Sequence, residues 1–234
     1  MRVSLLFLLV FSAIAPLFLS FAGEEKSVPR SFRELPENTS YTHAATALVF
    51  PPALASYRKT TVLENANPVY GTVIRYSGSF GESADIYVYS NDTGGTCIEE
   101  KSLKEEYEKI KCSLLKSPRV SAEKGAIPAK EEIKMLKEEK KSSSGKNDIS
   151  DIYSFSFRYF LGGAPYESSL HLFLVKKQEK KSSSGRTFAK FVKIRLSRPS
   201  EVSSGAADAN NFLKELMEKV ILCPPAPVKR SVVK

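Results

Sequence analysis

Residues 70–90 read YGTVIRYSGSFGESADIYVYS, and this stretch decides the fold. Apolar and polar side chains alternate on both sides of a Gly- and Ser-containing centre, residues 77–82, and a period of two is typical of a β-strand. In the second half Ala84, Ile86 and Val88 fall on one face, with an aspartate and two tyrosines on the other. The stretch therefore predicts a hairpin of two antiparallel strands, because strands that are neighbours in sequence usually pair.

The same alternation recurs in four further segments. Aromatic side chains alternate with serine and arginine in residues 152–160, and leucines alternate with His171 and two apolar residues in residues 169–175. Residues 57–63 and 187–196 complete the set. We therefore expect an antiparallel sheet of about six strands.

Two segments show helical spacing instead. Residues 98–115 carry an apolar stripe that recurs every three or four residues, formed by Leu103, Tyr107, Ile110 and Leu114. Residues 206–222 carry a similar stripe that includes Phe212. Helices with one apolar stripe cover a sheet. The predicted fold class is α+β, with the Leu103 and Phe212 helices packed on one face of the sheet.

The first 22 residues read MRVSLLFLLVFSAIAPLFLSFA and predict a secretory signal peptide that is cleaved after Ala22. A retained membrane anchor is the alternative, but Pro16 and the small residues near the end favour removal. No later segment is apolar enough to span a bilayer, so we expect no transmembrane span after signal removal. The predicted location is periplasmic or extracellular.

Composition divides the remaining chain into a body and its polar extensions. Residues 23–45 are polar and predict a flexible lead-in, and residues 46–222 predict a single α+β domain. Within that domain, residues 119–148 and 178–186 are rich in Lys, Glu and Ser and predict exposed insertions. Residues 223–234 predict a disordered tail that is rich in proline and basic residues.

Two internal similarities are present. The heptapeptide EKKSSSG occurs at residues 139–145 and again at residues 179–185, where it links two predicted strands. We interpret both copies as solvated connections, with a paired clamp for an anionic ligand as the alternative. The hairpins at residues 75–89 and 158–174 both begin with Arg-Tyr. A duplication would place the two Arg-Tyr pairs at related positions in the fold, whereas the alternative is that hairpins are generally alike.

The formal net charge is +9 over 234 residues, and +8 remains once residues 1–22 with Arg2 are removed. A basic exported protein meets anionic surfaces, such as lipid headgroups, acidic polysaccharide or an acidic envelope protein. Nucleic acid is not expected as a partner because the chain is exported. The alternative is that the lysines only solvate the surface, since most lie in runs of mixed sign.

Three cysteines are present, and an exported chain can form disulfides. Cys97 and Cys112 would close a short loop, and we predict this pair. The alternatives are that Cys223 bonds to either of them or that all three stay reduced. No histidine or asparagine pattern supports a reactive thiol.

Motifs for catalysis or metal binding are absent from the sequence. His43 and His171 are the only histidines, and no cluster has the spacing of a zinc site. Phosphate loops, dinucleotide fingerprints and nucleophile elbows are also missing. Glu82 and Asp85 near one turn are weak evidence for glycosidase chemistry. We therefore predict no catalytic residue, no metal and no cofactor.

Cations and tyrosines on the polar faces of the predicted strands form the one candidate site. If the strands share a sheet, one open face would present Arg75, Tyr87, Tyr89, Arg158, Lys190, Lys193 and Arg195. Such a face suits carbohydrate, lipid headgroups or a protein strand. The alternative is that a helix covers the tyrosines while the arginines extend to solvent.

From Phe50 onward the order of segments resembles an uncharacterised family of bacterial exported proteins. The resemblance is carried by Phe50-Pro51, Tyr57-Arg58-Lys59, residues 71–76, residues 84–89 and residues 191–195. The order of strands and helices is also similar to the small α+β sandwich of the PsbP/Mog1 type, a fold that carries docking modules. The resemblance implies a fold and transfers no functional residue.

These observations predict a non-enzymatic binding or assembly module of the cell envelope. The alternative is a secreted or periplasmic hydrolase. It requires a cleft in which His171 or Asp85 lies within hydrogen-bond reach of a second titratable group.

Overall fold

The structure is a computed structural model. All described residues belong to one compact unit, residues 31–234. The structure describes residues 32–34, 38–65, 71–90, 100–117, 120–121, 136, 148–178, 187–201 and 205–222. The predicted signal peptide, both EKKSSSG copies and the basic tail lie outside the described residues.

Strands dominate the described part of the chain. They are β1 (Phe32–Glu34), β2 (Tyr41–Thr42), β3 (Val49–Phe50), β4 (Ala53–Leu54), β5 (Tyr57–Asn65), β6 (Thr72–Ser77), β7 (Ser83–Tyr89), β8 (Val120–Ser121), β9 (Asp148–Ile149), β10 (Tyr153–Leu161), β11 (Ala164–Gln178) and β12 (Thr187–Pro199). The six predicted strands correspond to β5, β6, β7, β10, β11 and β12.

Two helices correspond to the two predicted ones. Helix α1 spans Glu100–Leu115, and α2 spans Gly205–Leu216 and continues as a π-helical segment, Met217–Leu222. Among the described helices, none combines the length and the apolar character that crossing a membrane requires.

The main sheet has the strand order β1-β5-β6-β7-β12-β11-β10-β8, with every pairing antiparallel. Strand β4 also pairs with β5 and β9 with β11, while β2 and β3 form a separate two-stranded ribbon. The α+β class is therefore confirmed, but the prediction of six strands is wrong. The additional strands are two or three residues long, which is too short for an alternating pattern to be recognised.

Two three-stranded meanders meet at the centre of this sheet. The first is β5-β6-β7 and the second is β10-β11-β12, and each is followed by a helix. Their last strands pair with each other, which places Ile86 opposite Ile194. The core therefore lies around β7 and β12, far from both sheet edges.

One face of the sheet, here called the α2 face, packs against α2. It presents Ile74, Ile86 and Ile194, all fully buried in one cluster with Phe212. The ring of Phe212 lies 4.7 Å from that of Tyr57 and 5.4 Å from that of Tyr76, between ring centroids. This contact attaches the last helix to the first meander.

The opposite face, here called the α1 face, packs against α1. Leu103 and Tyr107 of this helix are buried with Phe155, Leu172 and Phe191. The two helices therefore lie on opposite faces, and the prediction that both pack on one face is wrong. The reason is that β11 and β12 bury side chains of both parities, so that each face of the sheet needs its own cover.

The ordered body begins before residue 46. Strand β1 pairs with β5, and Tyr41 and His43 are buried beside the α2 face, whereas the sequence predicts a flexible lead-in there. A tyrosine and a histidine in polar surroundings carry no apolar period, so the burial of this segment has no signal in the sequence. Leu136 within the predicted insertion is also fully buried.

The predicted disulfide is not formed. Cys112 is a free thiol on α1, and it is exposed because it lies on the side of the helix that faces away from the Leu103 stripe. Cys97 and Cys223 lie outside the described residues.

The Arg-Tyr similarity does not mark equivalent positions. Arg75 lies on β6, the middle strand of the first meander, whereas Arg158 lies on β10, the first strand of the second. The strand order would instead relate β6 to β11 and β7 to β12. The duplication expected from the two Arg-Tyr pairs therefore does not fit the topology.

Candidate ligand face

Five of the seven predicted ligand-face residues come together on the α1 face. Arg75 and Arg195 flank Asp85 in register, and Tyr87 lies opposite Lys193 one row further along. Residues in register share a face because side chains alternate along each strand. We call this group the Lys193 cluster; its members are Arg75, Tyr87, Tyr89, Lys193 and Arg195.

Arg158 and Lys190 are not part of the cluster. They have the parity of the α2 face, since Arg158 shares it with Ser154 on β10 and Lys190 shares it with Val192 on β12. Arg158 forms an ion pair with Glu167 at 3.2 Å. The sheet therefore separates these two cations from the other five residues.

Lys193 lies at the centre of the cluster. Its Nζ is 3.9 Å from the centroid of the Tyr87 ring and 5.8 Å from that of Tyr89. Burial lowers the pKa of Lys193 to about 8, although Glu106 draws it in the opposite direction. Within the described ranges, no carboxylate or hydrogen-bond acceptor lies within bonding distance of this ammonium. Two aromatic rings are thus the main support of a half-buried positive charge.

Arg195 is fixed more firmly than Lys193. Its guanidinium carbon lies 4.9 Å from the ring centroid of Tyr159 and 5.3 Å from that of Phe157. Its Nε donates to Oγ of Ser168 at 3.2 Å, and only 9% of the residue is exposed. Arg195 therefore holds a set orientation before any ligand arrives.

Arg75 is paired with Asp85. Its Nε donates to Oδ1 at 2.6 Å and its Nη2 donates to Oδ2 at 3.3 Å, so the contact is bidentate. Desolvation lowers the pKa of Arg75, but the Asp85 carboxylate outweighs it and the net direction is upward. About a third of the Arg75 side chain, 35%, remains exposed at the edge of the cluster.

The two tyrosines are neutral walls. Burial is the main cause that raises the pKa of both Tyr87 and Tyr89 above the usual value. The hydroxyl of Tyr89 donates to Oε1 of Glu106 at 3.0 Å, which attaches α1 to the sheet beside the cluster. The ring of Tyr89 also stacks on Phe191, with 5.3 Å between centroids.

Positive charge exceeds negative charge in this group. Three cations share the face with Asp85, and Glu106 of α1 adds one further carboxylate. Asp85 is bonded to Arg75 and Glu106 to Tyr89, so neither carboxylate is bonded to Lys193. The arrangement can accept one anionic group without losing an existing ion pair.

Several contributors were not identified from the sequence. Glu106, Phe157, Tyr159 and Ser168 complete the surroundings of the two central cations. The alternation of β10 places the two aromatic residues on one face, but only the register of β10 against β11 shows that this face is shared with Arg195.

The structure places His171 and Asp85, the two residues named in the hydrolase alternative, on opposite faces of the sheet. His171 is fully buried, and its Nδ1 lies 2.8 Å from Oγ of Ser154 on the α2 face. Asp85 lies on the other face in its bidentate contact with Arg75. In the part of the chain that the structure describes, no group of three or more His, Cys, Asp or Glu side chains could hold a metal ion.

The fold and the site thus define a class of protein: a main antiparallel sheet covered by one helix on each face, with a cation–aromatic cluster beside α1. No protein-family model matches the chain, and no curated protein matches it either. The resemblance to exported bacterial proteins and to the PsbP/Mog1 type stays a prediction.

Proposed function

We propose that the protein is a non-enzymatic binding module of the cell envelope that takes an anionic group on the α1 face. The observation that carries the proposal is Lys193, a half-buried ammonium that rests on tyrosine rings and lacks a bonded carboxylate among the described residues. A buried charge is costly unless it is paired, so a phosphate or carboxylate group gains more here than at an exposed lysine.

The neighbouring side chains suit a ligand whose anionic group is attached to a larger polar body. Arg195 is held by Ser168 and by two aromatic rings, and it needs little reordering when an anion binds. The rings of Tyr87 and Tyr89 offer flat apolar surface next to donor groups, which sugars and headgroups prefer. The ligand is therefore an anionic group attached to a larger polar body, as in an acidic polysaccharide or a phospholipid headgroup.

Removal of the central charge tests the proposal. We expect Lys193→Met to weaken retention on an immobilised acidic polysaccharide, or on vesicles that contain an anionic phospholipid, by about tenfold or more, the effect of roughly 1.4 kcal/mol. Lys104→Met is the matched control, because Lys104 is an exposed lysine on α1 and gives the same change of net charge.

Comparison of the two variants decides the outcome. A loss confined to Lys193→Met supports the α1 face as the site, and the matrix that shows it identifies the source of the anionic group. An equal, small loss in both variants would mean that only the net charge attracts the matrix, and it would remove the proposal.

Export is the second part of the proposal, and it is supported by the apolar run at residues 3–19. Expression in a bacterium with an outer membrane, followed by N-terminal sequencing of the periplasmic fraction, tests it. We expect a mature chain that begins at Gly23. An uncleaved chain in the membrane fraction would favour the anchor instead.

A further inference from the structure

A second polar site lies on the α2 face, at the end of the sheet where β6 begins. A pocket of about 260 Å³ opens between strands β5, β6, β7 and β12 and the turn that follows β2. We call it the β2 pocket. Its polar lining consists of Tyr41, His43, Glu64, Asn65, Thr72, Tyr89 and Lys190.

The acidic side of the β2 pocket is Glu64 of β5. The hydroxyl of Tyr41 donates to its Oε1 at 2.5 Å, which holds the carboxylate in a fixed position. Burial, reinforced by this hydrogen bond, raises the pKa of Tyr41, so the tyrosine remains the donor. Arg33 of β1 is the cross-strand neighbour of Glu64 on the side away from β6.

The basic side is Lys190 of β12. Its Nζ donates to Oγ of Ser90, and in the described portion of the molecule no carboxylate lies within ion-pair distance of it. Burial lowers the pKa of Lys190, as expected for a cation that lacks an anionic partner. An anion that entered the pocket would supply one.

His43 forms part of the wall and is neutral. Its Nδ1 accepts from the backbone N–H of Thr46 at 3.3 Å and lies 2.8 Å from the Thr46 hydroxyl. An Nδ1 that accepts a backbone N–H carries no proton, so Nε2 carries the ring proton and is available as a donor. Burial, with Lys190 nearby, lowers the pKa of His43 to about 4.

The fold keeps the acidic and basic sides apart. Glu64 and Lys190 lie on strands separated by two others, β6 and β7, so their backbones are roughly 14 Å apart across the sheet. Gly71 contributes to the floor between them, where a Cβ would lie 2.1 Å from the carbonyl oxygen of Val88. The pocket thus presents a carboxylate and an ammonium that face a shared space and do not neutralise each other.

We infer that the β2 pocket binds a small zwitterion, a free amino acid or a dipeptide, with its ammonium at Glu64 and Tyr41 and its carboxylate at Lys190 and His43. Opposite charges that are fixed at the two ends of a pocket select a ligand that carries both, because a ligand with one charge leaves the other side of the pocket unpaired. The charged groups of the pocket lie on the opposite face from Lys193, and Tyr89 is the one residue that the pocket shares with the Lys193 cluster.

Calorimetric titration of the full chain with the free α-amino acids and a set of dipeptides tests this inference. Each bound zwitterion is then compared with its N-acetyl derivative, which lacks the ammonium, and with its amide, which lacks the carboxylate. We expect at least tenfold weaker binding of both derivatives. If none of the zwitterions binds, or if an N-acetyl derivative binds as tightly as its parent zwitterion, the inference is overturned.

Three variants locate the site. Glu64→Gln and Lys190→Met should each weaken zwitterion binding at least tenfold, and Lys104→Met, which removes an exposed lysine of α1, should leave it unchanged. An effect of Lys104→Met equal to that of Lys190→Met would mean that only the net charge matters and would contradict the inference. If Lys190→Met does not fold, the comparison of each zwitterion with its N-acetyl and amide derivatives on the unmodified protein still tests the inference.

Discussion

Lys193 and His43 lie on opposite faces of the sheet, and burial lowers the pKa of both for the same reason. Desolvation disfavours the protonated form of each side chain because that form is charged, and among the described residues each lacks a bonded carboxylate that would offset this cost. The consequences differ, because in the folded protein Lys193 changes charge near pH 8 and His43 near pH 4. Each therefore gives a pH signature of its own.

Anion binding on the α1 face should weaken as the pH rises through about 8. The pKa of Lys193 is about 8, so above this value the side chain loses the charge that attracts the ligand. Lys193→Arg keeps its charge throughout this range and should abolish the pH dependence. Affinity measured from pH 6.5 to 9.5 checks this, and an unmodified protein that binds equally well at both ends would contradict it.

Acid should destabilise the protein through His43. The folded-state pKa of about 4 lies below the ordinary 6.5, so the unfolded chain binds a proton first and stability falls as the pH drops from 6.5 to 4. The shift corresponds to about 3 kcal/mol. Urea denaturation at pH 7 and pH 4 measures the decrease in unfolding free energy, which should be about 3 kcal/mol smaller in His43→Gln than in the unmodified protein. Equal losses in both proteins would show that other groups cause the acid sensitivity.

Gly71 is the one described glycine where both backbone conformation and space exclude a side chain. Its φ is +69°, and a Cβ would clash with backbone at 2.1 Å, whereas Gly162 has φ +59° and open space around it. Gly162→Ala should therefore cost about 1 kcal/mol, the conformational penalty alone, and Gly71→Ala several times more. Unfolding free energies check the difference, and equal costs would contradict the close approach of β6 to β7.

At the scale of the element, helix α1 is held by a narrow apolar stripe. Leu103 is fully buried against the sheet, while Leu115 on the same helix is 41% exposed. Leu103→Ala should cost roughly 2–5 kcal/mol of unfolding free energy, and Leu115→Ala under about 1 kcal/mol. Similar small costs for both substitutions would mean that α1 does not pack on the sheet.

The long elements were predictable because their period is visible in the sequence. Alternation places Ala84, Ile86 and Val88 on one face and the tyrosines of β7 on the other, as the structure has them. The same alternation in β12 places Lys190 on the face of Val192 and away from Lys193, so the sequence alone argues against Lys190 in the predicted ligand face. The face on which Arg158 lies depends on the register of β10, which no local pattern contains.

At the scale of the whole molecule, the sequence of neither helix predicts which face of the sheet that helix covers. Both are amphipathic, and an apolar stripe does not say which face of a sheet it will cover. The information lies in β11, where residues 171–175 are all buried and both faces therefore need cover. The β2 pocket was missed for a related reason, since it joins side chains from three distant segments that carry no shared motif.

The proposed anion binding depends most on Lys193, a half-buried cation that lacks a bonded carboxylate among the described residues. Side-chain NMR that follows the Lys193 Cε resonance against pH, with and without inorganic phosphate, measures this directly. We expect a pKa of about 8 in the free protein, which rises towards 10.5 as phosphate is added. A pKa near 10.5 in the free protein, unchanged by phosphate, would contradict it.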